Sequence, residues 1–267
     1  MGAIPVFCLV SIPALPECEP PCLALIFFLI YLLILVGDAL ILVVVMAEPS
    51  LHKPMYFFLI NLSALDILSI TVTVPKMLSL FLLGDHFLSF PACFLQMYLF
   101  HNFSCSEAFI LVVMAYDRYV AICCPLHYPV LMTPQTNAVF ATSAWLTALL
   151  LPIPAVVQTS QMAFNSIARI YYCFCDHLAV VQASCSDTTP QTLMGFCIAV
   201  VVSFLPLLLV LLSYSHILAS VSHLLVVGTY YSSIGIAYVA YRADLPLDFH
   251  IMGNVVHAIL FFFFFFF

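Results

Sequence analysis

What most constrains this chain is an apolar run of about 20 residues that recurs from one end to the other. A helix rises about 1.5 Å per residue, so such a run matches the roughly 30 Å hydrocarbon core of a bilayer, where each backbone N–H and C=O must be satisfied within its own segment. Seven such stretches emerge, at 22–46, 55–83, 92–122, 136–157, 191–221, 222–241 and 249–267. They predict an all-α membrane protein, a seven-transmembrane helix bundle with an incomplete seventh helix. Residues 1–21 then form an extracellular amino terminus, and 22–267 form one membrane domain. Composition agrees, with 66% of residues hydrophobic, only five Lys or Arg, and a mean hydropathy of +1.22. Soluble domains carry about a quarter charged residues. The net charge of −7 leaves no basic stripe to neutralise phosphates, which excludes a nucleic-acid partner and leaves membrane lipid as the surroundings.

The breaks between stretches have turn chemistry: Glu48-Pro49-Ser50, Gly84-Asp85-His86, and the segment from Pro125 to Pro134. Each is short, so neighbouring spans run antiparallel. The amino terminus lacks a basic start and is interrupted by Pro5, Pro13, Pro16, Pro20 and Pro21, unlike a cleavable signal peptide. The long polar segment is 158–190, the one loop large enough to fold over something. Basic residues do not orient the chain, since Lys53 and Arg118 mark one side and Arg169 and Arg242 the other. Cysteine does: Cys173, Cys175 and Cys185, with Cys93, invite a disulfide, which belongs in an oxidising space and puts 158–190 outside. Cys8, Cys123, Cys124 and Cys197 read as small buried hydrophobes. No CxxC spacing suggests a metal.

Charged groups at bilayer depth are costly and therefore functional suspects. In the third span Ser104, Glu107, Leu111, Met114 and Arg118 fall on one helical face. Cys93 and Arg118 are separated by about 38 Å of rise, which places them at opposite membrane surfaces with Glu107 near mid-depth. In the second span Asp66, Ser69, Thr73 and Lys76 share a face, and Asp66 reaches mid-depth, roughly 16 Å in from Met55. Asp66 and Glu107, joined by Asp38 of the first span, are expected to share a proton or hold a small cation such as Na+. The plainer reading is a hydrogen-bonded structural pair. For Asp117-Arg118 the plainer reading is an interfacial ion pair that anchors the helix.

From 36 to 260 these residues resemble the vertebrate odorant receptors of the rhodopsin-like G-protein-coupled class. The resemblance rests on Leu51-His52-Lys53-Pro54-Met55-Tyr56-Phe57-Phe58-Leu59, on Leu62-Ser63 with Asp66, and on Val74-Pro75-Lys76-Met77-Leu78. It is strongest at Met114-Ala115-Tyr116-Asp117-Arg118-Tyr119-Val120-Ala121-Ile122-Cys123 with Pro125-Leu126 and Tyr128, and continues through Ser184-Cys185-Ser186-Asp187-Thr188, Ser213-Tyr214 and Ser222-His223-Leu224. It implies a multi-pass plasma-membrane receptor, not an enzyme, that binds a small volatile odorant and activates a heterotrimeric stimulatory G protein through the cAMP pathway. It implies no cofactor. Asp117, Arg118 and Tyr119 then form the activation motif, with Asp117 and Arg118 as a locked pair and Tyr214 as its partner on the fifth helix. Cys93 is bridged to Cys175, with Cys173 and Cys185 as a candidate second pair. The ligand is lined by Phe100, His101, Ser104 and Cys105 of the third helix, Phe204 of the fifth, and Tyr230 and Tyr231 of the sixth. Asp66 and Glu107 match the family's interior acidic pair.

Two departures bear on signalling. The family's basic third cytoplasmic loop is missing, with Val221 running directly into Ser222, and Phe261 to Phe267 stand where the inner end of the seventh helix is expected. Asp38 adds an acid where the family has Asn beside Gly37. The Asn-x-Ser pattern occurs at Asn61 and Asn102, both inside spans, so export is expected to suffer, with retention in the ER. The alternatives are a coupling-deficient receptor remnant and, from a different class, a proton-coupled transporter using the three acids.

Overall fold

A computed structural model describes residues 6–10, 20–48 and 53–215. In chain order it contains β1 (Val6–Leu9), α1 (Pro20–Ala47), α2 (Pro54–Leu83), β2 (Phe87–Ser89), α3 (Phe90–Cys123), α4 (Tyr128–Leu131), α5 (Pro134–Leu150), α6 (Ile153–Ser160), β3 (Ile167–Ile170), α7 (His177–Gln182) and α8 (Thr189–Ser215). Among the described residues five helices are long and apolar enough to cross a membrane, with α5 and α6 forming one such span over Pro134–Ser160. The expected sixth and seventh stretches, 222–241 and 249–267, lie outside the described residues, together with Tyr230, Tyr231 and Arg242.

The span ends are set by local chemistry. Prolines open α2, α3 and α5, where the missing N–H is one that a helix leaves unbonded in any case. Thr133 caps α5 by accepting from Thr136 N at 3.2 Å. Gly84 ends α2 at φ 63, a left-handed conformation that glycine adopts without a Cβ penalty. Lys76 reaches over this turn to Asp85 Oδ2 at 2.7 Å, to Asp85 O at 2.9 Å and to Phe87 O at 2.9 Å, holding the start of β2. That ammonium, by hydrogen bond first and charge second, holds the Asp85 carboxyl below its usual range.

The third span is the axle. It is the most deeply buried of the described spans. α3 packs against α2, α5, α6 and α8, and α1 reaches the bundle through α2. Glu107, Leu111 and Met114 are buried on the face read from the sequence, while Ser104 and Arg118 are half-buried at its edges. Cys93 and Asp117 stand at opposite ends of this helix.

At the Cys93 end the structure departs from a purely helical reading. A three-stranded sheet in the order β2-β1-β3 caps the bundle. β1 runs antiparallel to β2, with Phe7 opposite Leu88, and parallel to β3, with Phe7 opposite Ala168 and Leu9 opposite Ile170. Phe7 and Leu9 point into a core shared with Phe94, Met97, Ile170 and Phe174, while Val6 and Cys8 face outward. The period-two alternation of a half-buried strand is therefore present in these four residues.

Candidate functional site

The cap is pinned to α3 covalently and by one amide. Cys93 and Cys175 form a disulfide across 82 residues of sequence, with Cα atoms 5.4 Å apart. Gln96, one turn further along α3, accepts from Cys175 N at 3.0 Å and donates to Val72 O at 2.9 Å, so a single side chain fastens the loop, α2 and α3 together. No motif singled out Gln96. The usable signal was its position three residues after Cys93, on the same helical face. The candidate second bridge is not formed. Cys173 is buried in the cap core and Cys185 is exposed, and both are free. Burial pushes the Cys173 thiol up to about 12, leaving it without thiolate character.

Just inside the cap, Phe100 and His101 meet the loop. The Phe100 ring lies 5.1 Å from Phe174, and His101 Nε2 lies 3.9 Å from Asp176 Oδ1. Ser104 and Cys105 follow one turn deeper, half-buried and buried respectively. Phe204 does not join them. It is 65% exposed, because Val202 and Pro206 take the inward face of α8 and a residue midway between them points to the opposite side. Sequence reading missed Asp176, which caps α7 by accepting from Leu178 N at 3.2 Å, and His177, whose Nε2 lies 3.2 Å from Thr159 Oγ1.

Burial pushes His177 down to about 4. The neighbouring His101 adds to the shift and Asp176 opposes it. The sign follows from proton counting: between pH 6.5 and about 4 the unfolded chain binds a proton that the folded cap refuses. Stability from this group is therefore complete above pH 6.5 and is lost as pH falls toward 4, by about 3 kcal/mol at most. Thermal melting of the purified chain should drop between pH 7 and pH 5, and His177→Asn, which keeps a donor for Thr159, should flatten that slope. Equal slopes in the two proteins would remove His177 as the cause.

Deeper in the bundle three acids from three helices converge. Asp38 of α1 and Glu107 of α3 are buried, and Asp66 of α2 is half-buried. Each lies within electrostatic reach of the others. Among the described residues, no group of three His, Cys, Asp or Glu converges closely enough to hold a metal ion.

At the far end of α3, Asp117 is buried and its Oδ1 accepts from the Tyr128 hydroxyl at 2.9 Å. Arg118 instead turns its guanidinium to the sulfur of Met55. The expected lock between Asp117 and Arg118 is thus replaced by a lock between Asp117 and Tyr128. Consecutive helical residues diverge by about 100°, so these two neighbours point into different seams. Burial, then the bond to Asp117, pushes the Tyr128 phenol up to about 12, so it remains a donor at neutral pH. Tyr119 is half-buried beside them, and the side chain of Tyr214 lies outside the described residues. Toward this end an apolar groove of about 380 Å³ is bounded by Val112, Val113, Tyr116, Phe140 and Leu209. It is separate from the residues expected to line the ligand.

The family model described as olfactory receptor matches residues 27–244. Human (Homo sapiens) olfactory receptor 2AT4 is 78% identical over 273 residues, covering 96% of this chain and 85% of its own length. Human olfactory receptor 10A2 is 38% identical over 279 residues, covering 94% and 91%, and human olfactory receptor 6P1 is 36% identical over 276, covering 97% and 87%. Each aligned stretch is longer than the 267-residue chain itself, so these relatives carry internal residues with no counterpart here.

Proposed function

This chain belongs to the olfactory receptor family, a family of seven-helix G-protein-coupled receptors that are multi-pass plasma-membrane proteins and not enzymes, and on that premise we propose that it binds a small volatile ligand beneath the extracellular cap and activates a stimulatory G protein from the Asp117 end. One observation carries the reading. α3 runs from a disulfide-pinned cap, past a buried Glu107, to the Asp117–Tyr128 lock, so a ligand at one end and a partner at the other would act on the same rigid element. The acids at Asp38, Asp66 and Glu107 are the proposed seat of a shared proton, or of a small cation held between Asp66 and Glu107 alone, midway between the two ends. Lipid is the proposed neighbour of the apolar groove beside Tyr116.

A second reading, a receptor that binds ligand without coupling, draws support from the internal residues that the relatives carry and this chain lacks, and from Val221 joining Ser222 directly. The experiment is a cell-surface stain with a cAMP reporter and an odorant panel. It is run on this chain and on a version given the relatives' residues between the fifth and sixth spans. A response from the chain as it stands, lost in Arg118→Ala with surface staining retained, supports the signalling receptor. A response from the restored version alone moves the conclusion to the coupling-deficient form. Silence of both at normal surface levels sinks the odorant reading. A sodium dependence of the response that disappears in Glu107→Gln tests the acidic seat.

A further inference from the structure

His101 and Asp176 face each other across a gap that neither can close alone. The His101 ring has a defined tautomer: its Nδ1 lies 2.9 Å from Met97 O, a carbonyl only accepts, and the proton therefore sits on Nδ1. In that tautomer Nε2 carries a bare lone pair, and 3.9 Å away stands Asp176 Oδ1, which is also an acceptor. That separation is too long for a hydrogen bond. The other carboxylate oxygen, Oδ2, is occupied by Leu178 N at 3.2 Å, so Oδ1 is the one left facing the ring.

Among the described residues no donor bonds to His101 Nε2 or Asp176 Oδ1. Thr159 gives its own hydrogen to Ala155 O at 2.8 Å, so it accepts from His177 Nε2, and the remaining nitrogen of His177 is a third acceptor. Among the described residues no lysine or arginine pairs with Asp176. Both side chains are open to an incoming group, at 32% and 28% exposure, and the rings of Phe100 and Phe174 stand alongside. The result is a partly open, electron-rich cleft with apolar flanks.

We infer that the His101–Asp176 cleft selects ligands whose head group donates hydrogen bonds, a hydroxyl or a protonated amine, and discriminates against heads that only accept, such as aldehydes and esters. The claim rests on the odorant-receptor reading above and narrows its ligand class. A head atom about 2.8 Å from each acceptor sits comfortably above a 3.9 Å base. A primary ammonium has hydrogens for both acceptors and a charge for the carboxylate, whereas a hydroxyl has one hydrogen, which goes to the carboxylate. An aldehyde brings a third lone pair to two that are already unsatisfied.

The test uses the full chain purified into lipid nanodiscs at pH 7.4, with binding read from ligand-dependent thermal stabilisation. The probes are 1-hexylamine, 1-hexanol and hexanal, which share one tail length. The expected order is hexylamine, then hexanol, then hexanal, with at least tenfold between the first and the last. Asp176→Asn retains an oxygen to cap α7 and should leave the ligand-free melting point unchanged, yet cost hexylamine tenfold or more and hexanal nothing. His101→Phe, which leaves Asp176 intact, should narrow the gap between amine and alcohol. Hexanal binding as tightly as the two donors, or unchanged hexylamine affinity in Asp176→Asn, overturns the inference while the receptor reading stands. Failure of all three probes to stabilise the chain overturns it too. The receptor reading falls with it only if the reporter panel is also silent.

Discussion

Cys93→Ser should lower the thermal stability of the purified chain by about 2–3 kcal/mol and leave little of it at the cell surface. The bond spans 82 residues, and closing so long a loop restricts the unfolded ensemble by up to about 5 kcal/mol for a soluble chain. Here α3, α5 and α6, which make up most of that loop, stay threaded through the membrane when the cap opens, so the entropy gained on breaking the bond is smaller and the lower half of that range applies. Cys175→Ser should cost the same, and the double variant should cost no more than either single one, because one bond can be lost only once. The check is thermal melting with and without reductant: reduced native chain should coincide with the untreated variants. A native chain indifferent to reductant would mean that Gln96 and the sheet hold the cap unaided.

The parts of this fold legible in the sequence are those that the bilayer dictates. Long apolar runs must be helices in lipid, and the polar face of the third span had to turn inward, which is where Glu107 lies. The cap was not legible. Val6-Phe7-Cys8-Leu9 is too short for its alternation to stand out, and its partners lie about 80 and 160 residues away, so nothing local announces a strand. Likewise, Asp176 and His177 gain their meaning from Thr159 and His101, which only the folded chain brings near. Positions assigned through family likeness fared unevenly for a geometric reason. Cys93 and Cys175 are joined by a bond that either permits or forbids itself, whereas Phe204 and the Asp117–Arg118 pair depend on helical phase, and one step of 100° changes the neighbour.

The cap's dependence on its first strand sets the other large expectation, a loss of about 3–5 kcal/mol in Phe7→Ala. Phe7 is fully buried, with its ring 5.8 Å from Phe90, 6.1 Å from Phe94 and 5.2 Å from Phe164, so truncation leaves a cavity among three aromatic rings that α3 and the loop hold in place. Because the order is β2-β1-β3, the outer two strands communicate only through β1. Weakening it should free β3, and with β3 the segment leading to Cys175 and Asp176. Amide exchange at 167–170 should therefore accelerate together with exchange at 87–89, even though neither stretch is mutated. Val6→Lys supplies the contrast, since Val6 is exposed and its substitution leaves the buried face untouched; its exchange pattern should match the native chain. Unaltered protection of 167–170 in Phe7→Ala would show that the loop is held over the end of α3 without the amino-terminal strand, and the role of strap would then pass to the disulfide and Gln96 alone.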